Sequence, residues 1–128
     1  MLLHVVAGEH LRLEVDGEPG LDVHGEQFGP LQMLAASLAL CTASVISDYA
    51  TTAQFKLADV VIDVHWSYSE EPYRIGLMHL HIRIGSQVPH NRRQALIRAA
   101  ERHCTVHNTL SHGATIKTTL VTPGVELA

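Results

Sequence analysis

The chain carries two cysteines, Cys41 in "LAASLALCTASVISDYA" and Cys104 in "ERHCTVHNTL". A thiolate is a nucleophile, and its first oxidation product is a reversible sulfenic acid. A second thiol within reach converts that acid to a disulfide and stops further oxidation. Without such a partner, a thiol in an apolar run is a small hydrophobe, the ordinary reading of a structural cysteine. The ten histidines offer a second chemistry. If strands over residues 57–68 and 75–84 pair with Asp63 opposite His81, then His65 falls opposite His79 and all four share one polar face. Three imidazoles and a carboxylate suit zinc or another borderline metal; a solvated sheet face is the alternative. Arg92, Arg93, Arg98 and Arg102 crowd "VPHNRRQALIRAAERHC", a candidate anion contact that is more often a solvated helix face. "HCTVH" sets His103 and His107 one helical turn apart around Cys104, but lacks the paired spacing of a zinc motif.

These residues need elements to bring them together. Leu11, Leu13 and Val15 alternate with Arg12 and Glu14 as in a half-buried strand. "DGEPG" supplies turn chemistry, and a short extended piece over Leu21–His24 follows. Pro30 suits the first turn of a helix that runs to about Thr51. Helical spacing places Leu34, Leu38, Cys41 and Val45 on one stripe, and the rest of the circumference is nearly uncharged until Asp48 and Tyr49 at a wet end. Such a helix belongs at the centre of a fold. So short a chain has trouble covering it, which points to a partner chain.

The two clear strands come next, joined by the turn "SEEPYR". One puts Val60, Ile62, Val64, Trp66 and Tyr68 on its apolar face; the other puts Met78, Leu80, Ile82 and Ile84 there. A second helix starting at Pro89 turns Leu96, Ile97, Ala100 and Cys104 inward. A short helical piece over Val106–Leu110 ends near Gly113, and "ATIKTTLV" alternates as a last strand. The order describes an α+β domain, with residues 1–128 as a single unit.

Composition bounds the function. Apolar residues make up 46% and charged residues 17%, an ordinary globular balance, and the net charge of −4 argues against nucleic acid as a partner. Two cysteines cannot build a disulfide scaffold and suit a reducing compartment. "MLLHVVAGEH" has neither a basic region nor a long apolar core of a signal peptide. The apolar stretch Leu31–Ile46 reads as too short and too interrupted for a membrane span, so no membrane partner is expected and the expected location is cytoplasmic.

Taken together, "GPLQMLAASLALCTAS" (Gly29 to Ser44) and "HCTVHNTLSHGATI" (His103 to Ile116), with a long hairpin between them, resemble the OsmC/Ohr family of osmotically induced and organic-hydroperoxide-resistance proteins. The likeness in element order runs from about Leu11 to Val121. It implies an OsmC-like fold, with antiparallel sheets around a central buried helix in an intertwined homodimer. It also implies a thiol-dependent peroxidase with no cofactor, acting on organic hydroperoxides and recycled by a dithiol reductant. Carried over, Cys41 is the peroxidatic residue and Cys104 the resolving one. Leu34, Leu38 and Val45 then give Cys41 the apolar pocket that an organic substrate prefers. The sequence departs from the better-characterised peroxidases at the glutamate that follows the helix-starting proline, where it has Leu31 and then Gln32. Their N-terminal arginine has no clean match either, since Arg12 is the only arginine before Arg74. His103, His107, Arg102 or a partner chain's Arg12 are the candidates to lower the thiol pKa in its place. Three functions follow: a hydroperoxide reductase, an OsmC-like binding or redox-sensing protein with weak turnover, and a histidine-rich metal module.

Overall fold

The fold is organised around one helix, α1 (Pro30–Thr52). Pro30 opens it where a missing N–H costs nothing, and the Gln32 Oε1 accepts from the Gly29 amide at 3.0 Å to close the first turn. The computed structural model describes residues 2–7, 10–16, 20–24, 29–54, 60–85 and 87–124, the first three segments by their backbone alone. Before α1 come β1 (Leu2–Ala7), β2 (His10–Asp16) and β3 (Gly20–His24). After it come β4 (Val60–Ser69), β5 (Arg74–Ile84), α2 (His90–His103) and α3 (Thr105–His112). The middle of the expected "DGEPG" turn and the first residues of the expected 57–68 strand lie outside the described residues.

The strands form one five-stranded sheet in the order β3-β1-β2-β4-β5. Its pairings are antiparallel except β1 with β3, which is parallel. The β4–β5 register sets Asp63 opposite His81 and His65 opposite His79, the condition on which the shared polar face rests. Between the two strands, the Arg74 Nη1 donates to the carbonyls of Glu70 and Pro72 and ties the turn.

α1 packs against β2, β4, α2 and α3. Ala35, Ala39, Ala43, Ile46 and Ala50 form its buried side, meeting Val60, Ile62 and Val64 of β4 and Leu96 and Ala100 of α2. The alanines let the neighbours approach closely, so the deepest stripe lies beside the expected Leu34/Leu38/Cys41/Val45 stripe, of which Leu38 alone is fully buried. The opposite face stays open, with Met33 59% and Leu40 38% exposed.

Three expectations need correction. The helix extends to Thr52, so by length and composition it is long and apolar enough to cross a membrane; the count that stopped at Ile46 undersized it. The core helix of a globular fold meets the same criterion, and the buried alanine face of α1 is packed as one. Tyr68 is not core. A register irregularity at Ser67/Tyr68 carries the strand end beyond helix cover, leaving Tyr68 47% exposed and stacked on Tyr73. Trp66 is half-buried, and its Nε1 donates to the Tyr68 hydroxyl at 3.1 Å. Finally, "ATIKTTLV" forms no strand. The segment has the alternation but, among the described residues, no neighbouring strand to complete its backbone hydrogen bonds, and Ile116 and Leu120 are 87% and 97% exposed.

Candidate functional site

The two cysteines meet where α1 crosses the junction of α2 and α3. Cys41 is half-buried on α1; Cys104 is wholly buried at the single-residue break between the two C-terminal helices. That break puts Cys104 in extended backbone, with φ −74° and ψ 111°. Its Sγ therefore points at the start of α3 and accepts from the His107 amide at 3.3 Å. The sulfur caps the helix, a task usually given to serine, threonine, aspartate or asparagine.

Cys41 and Cys104 are both free, and the Cys41 thiol is among the groups that act on Cys104. Burial pushes the Cys104 thiol above the ordinary range, and the hydrogen bond and charge of Cys41 push it further. The His107 amide and the Thr42 hydroxyl pull the other way without reversing the rise. Thr42 has one hydroxyl proton, which goes to the Leu38 carbonyl at 2.8 Å in the reduced protein. The groups acting on Cys104 are thus a thiol, an amide and a hydroxyl.

The candidate cations lie elsewhere. The His103 ring is stacked on Tyr49 at 5.6 Å. Arg102 is exposed, and its carbonyl accepts from the Asn108 side chain. His107 reaches Cys104 through its backbone, while its half-buried side chain faces a neighbouring cleft. Arg12 stands on β2 opposite Asp63, and its side chain lies outside the described residues.

That cleft, of about 680 Å³, runs between α1, β5 and the C-terminal helices. Leu31, Leu34, Leu38, Met78, Leu80 and Leu110 give it apolar walls, with Glu101, His107 and Ser111 as polar points. Leu34 and Leu38 line it as expected; Val45 does not, because it packs on the core cluster. Thr42 and Ala100 also line it; Thr42 follows Cys41 in the chain, and the Ala100 carbonyl accepts from the Cys104 amide at 3.0 Å. Leu31, at the position of the family's glutamate, is part of the apolar wall. Sequence reasoning passed over Thr42 and the His107 amide. The clue to both was positional: Thr42 sits one helical turn after Leu38, and Cys104 precedes a short helix as a cap does.

The histidine face forms as the register requires, with His65 and His81 rings 5.3 Å apart and His79 and His81 rings 4.2 Å apart. Even so, no group of three His, Cys, Asp or Glu among the described residues is placed to hold a metal ion. That geometry lends no support to the metal-module reading with Asp63, His65, His79 and His81.

A family model for OsmC-like proteins matches residues 23–119, which spans α1, the hairpin and both C-terminal helices. The chain belongs to the OsmC-like family. Among solved structures, it resembles an OsmC-like hydroperoxide resistance protein of Jannaschia sp. CCS1 over 94% of this chain and 91% of that one, at 24% identity and a TM-score of 0.61. An OsmC-like protein of Mycoplasma pneumoniae matches 68% of this chain and 64% of its own, at 24% identity and a TM-score of 0.62. A protein of Psychrobacter arcticus 273-4, described in terms of osmotic stress induction and detoxification response, shares 25% identity over 66% of this chain and 61% of its own, with a TM-score of 0.60. The OsmC-like chain described here thus spans less than two thirds of the Mycoplasma and Psychrobacter proteins. No curated protein matches it.

Proposed function

We propose that this OsmC-like protein reduces organic hydroperoxides with its two cysteines. The observation that carries the reading is the placement of Cys41 near enough to act on Cys104, beside an apolar cleft. The hydroperoxide-resistance relative supports the same substrate class.

The Cys41 thiolate attacks the terminal peroxide oxygen, the O–O bond breaks, and the departing alkoxide takes a proton to leave as an alcohol. Cys41 becomes a sulfenic acid. Cys104 then attacks that sulfur, water leaves, and a Cys41–Cys104 disulfide forms. A dithiol supplies two electrons and two protons to restore both thiols. Half-buried Cys41 is the more accessible of the pair, so it takes the attacking role; fully buried Cys104, held protonated near neutral pH, waits as the resolving thiol. Leu34 and Leu38 seat the organic part of the substrate.

A second reading, an OsmC-like binding or sensing protein with slow turnover, draws on the absence of a cationic side chain among the groups acting on Cys104. Steady-state consumption of an organic hydroperoxide with a dithiol reductant separates the two. The enzyme reading expects turnover that Cys41→Ser abolishes, and a single slow turnover in Cys104→Ser. Cleft binding of the hydroperoxide without dithiol-dependent consumption supports the binding protein instead.

A further inference from the structure

The arginines of α2 do not all face solvent. Arg93 is half-buried, and its Nε is a buried donor with no hydrogen-bond partner. It lies in a second cleft of about 600 Å³ between β5 and α2, on the far side of α2's Ile97 from the thiol wall, which no step of the peroxidase chemistry uses. Arg98 of α2 and Arg83 of β5 line the same cleft, so three arginines from two elements border it. His81 and His90 add imidazoles. Asp63 is the one carboxylate in the lining and is engaged in an interaction of its own. Ile82, Ile84 and Ile97 make the apolar part of the walls.

We propose that this cleft binds a small phosphomonoester, with the phosphate on Arg83, Arg93 and Arg98 and an apolar or aromatic body on the isoleucines. Guanidinium forks pair bidentately with phosphate oxygens, and a buried, partnerless donor gains most from an anionic acceptor. An isolated phosphate fills little of about 600 Å³, so the isoleucine walls call for a body attached to it. The first turn of α2 carries no acidic residue and no side-chain cap, which leaves the positive end of that helix dipole unopposed beside His90 and Arg93.

The test is calorimetric titration of the intact protein, in a low-salt buffer free of phosphate, with phenyl phosphate, inorganic phosphate and phenol. Phenyl phosphate binds saturably and more tightly than inorganic phosphate, and phenol does not bind. Arg93→Gln weakens phenyl phosphate at least about tenfold, the loss of one charge-assisted pair. Arg98→Gln, at an exposed position, weakens it too and covers the case in which Arg93→Gln does not fold. Cys41→Ser leaves binding intact, so a failure of the peroxidase reading does not touch this one. No saturable binding, binding indifferent to both arginine variants, or equal affinity for phenyl phosphate and inorganic phosphate overturns the assignment.

Discussion

Cys104 does two jobs with one sulfur: it touches Cys41 and caps α3. Its raised pKa gives a sign to alkaline stability. The folded state holds the Cys104 proton more tightly than the unfolded chain, so the associated stability is complete below the ordinary thiol range and is lost as pH rises through the raised value. Between near-neutral and strongly alkaline pH, urea unfolding should show a larger loss of stability in the native chain than in Cys104→Ser. Thr42→Val removes a hydroxyl that favours the thiolate, so thiol titration of that variant should place Cys104 higher still; an unchanged titration removes Thr42 from the site. Sequence alone could name both thiols, because a nucleophile and its partner are visible as residue types. It could not show which neighbours act on them. Thr42 and the His107 amide act through a helix crossing and a one-residue break, which their positions in the chain hint at but do not fix.

At the scale of elements, the long helix and the hairpin were legible because their periods are strong: Pro30 starts α1, and the apolar alternation sets the two faces of the hairpin, while its register comes from the structure. Tyr68 misled because alternation assumes an unbroken ladder, and the irregularity at Ser67/Tyr68 breaks it. Gly76 lies across from that point. A Cβ there would run into the Ser69 side chain and backbone region, so Gly76→Ala should destabilise the chain by about 1–3 kcal/mol and disturb the wall of the larger cleft. Ile46 is fully buried at the centre of α1. Ile46→Ala should cost about 2–5 kcal/mol in urea unfolding, a test of whether the alanine-rich face is the true core. A cost under about 1 kcal/mol would place the core on another face of the helix.

At the scale of the molecule, the open face of α1 and the bare "ATIKTTLV" segment belong to one question. Met33, Leu40, Ile116 and Leu120 are large apolar side chains left in solvent by a single chain. We propose a homodimer in which each chain covers the other's helix and receives its C-terminal segment; it would cover both, and would give a segment patterned as a strand the neighbour it lacks among the described residues. Light scattering should find twice the 14.0 kDa chain mass, and Ile116→Glu with Leu120→Glu should drive it toward monomer. A stable monomer in the native chain would leave those side chains unexplained. The central claim is that Cys41 and Cys104 act as a redox pair, and mass spectrometry after one equivalent of organic hydroperoxide tests it most directly. The account predicts a chain lighter by two hydrogens, with Cys41 and Cys104 peptides joined by a disulfide. Sulfinic acid on Cys41 with Cys104 still a free thiol would contradict it.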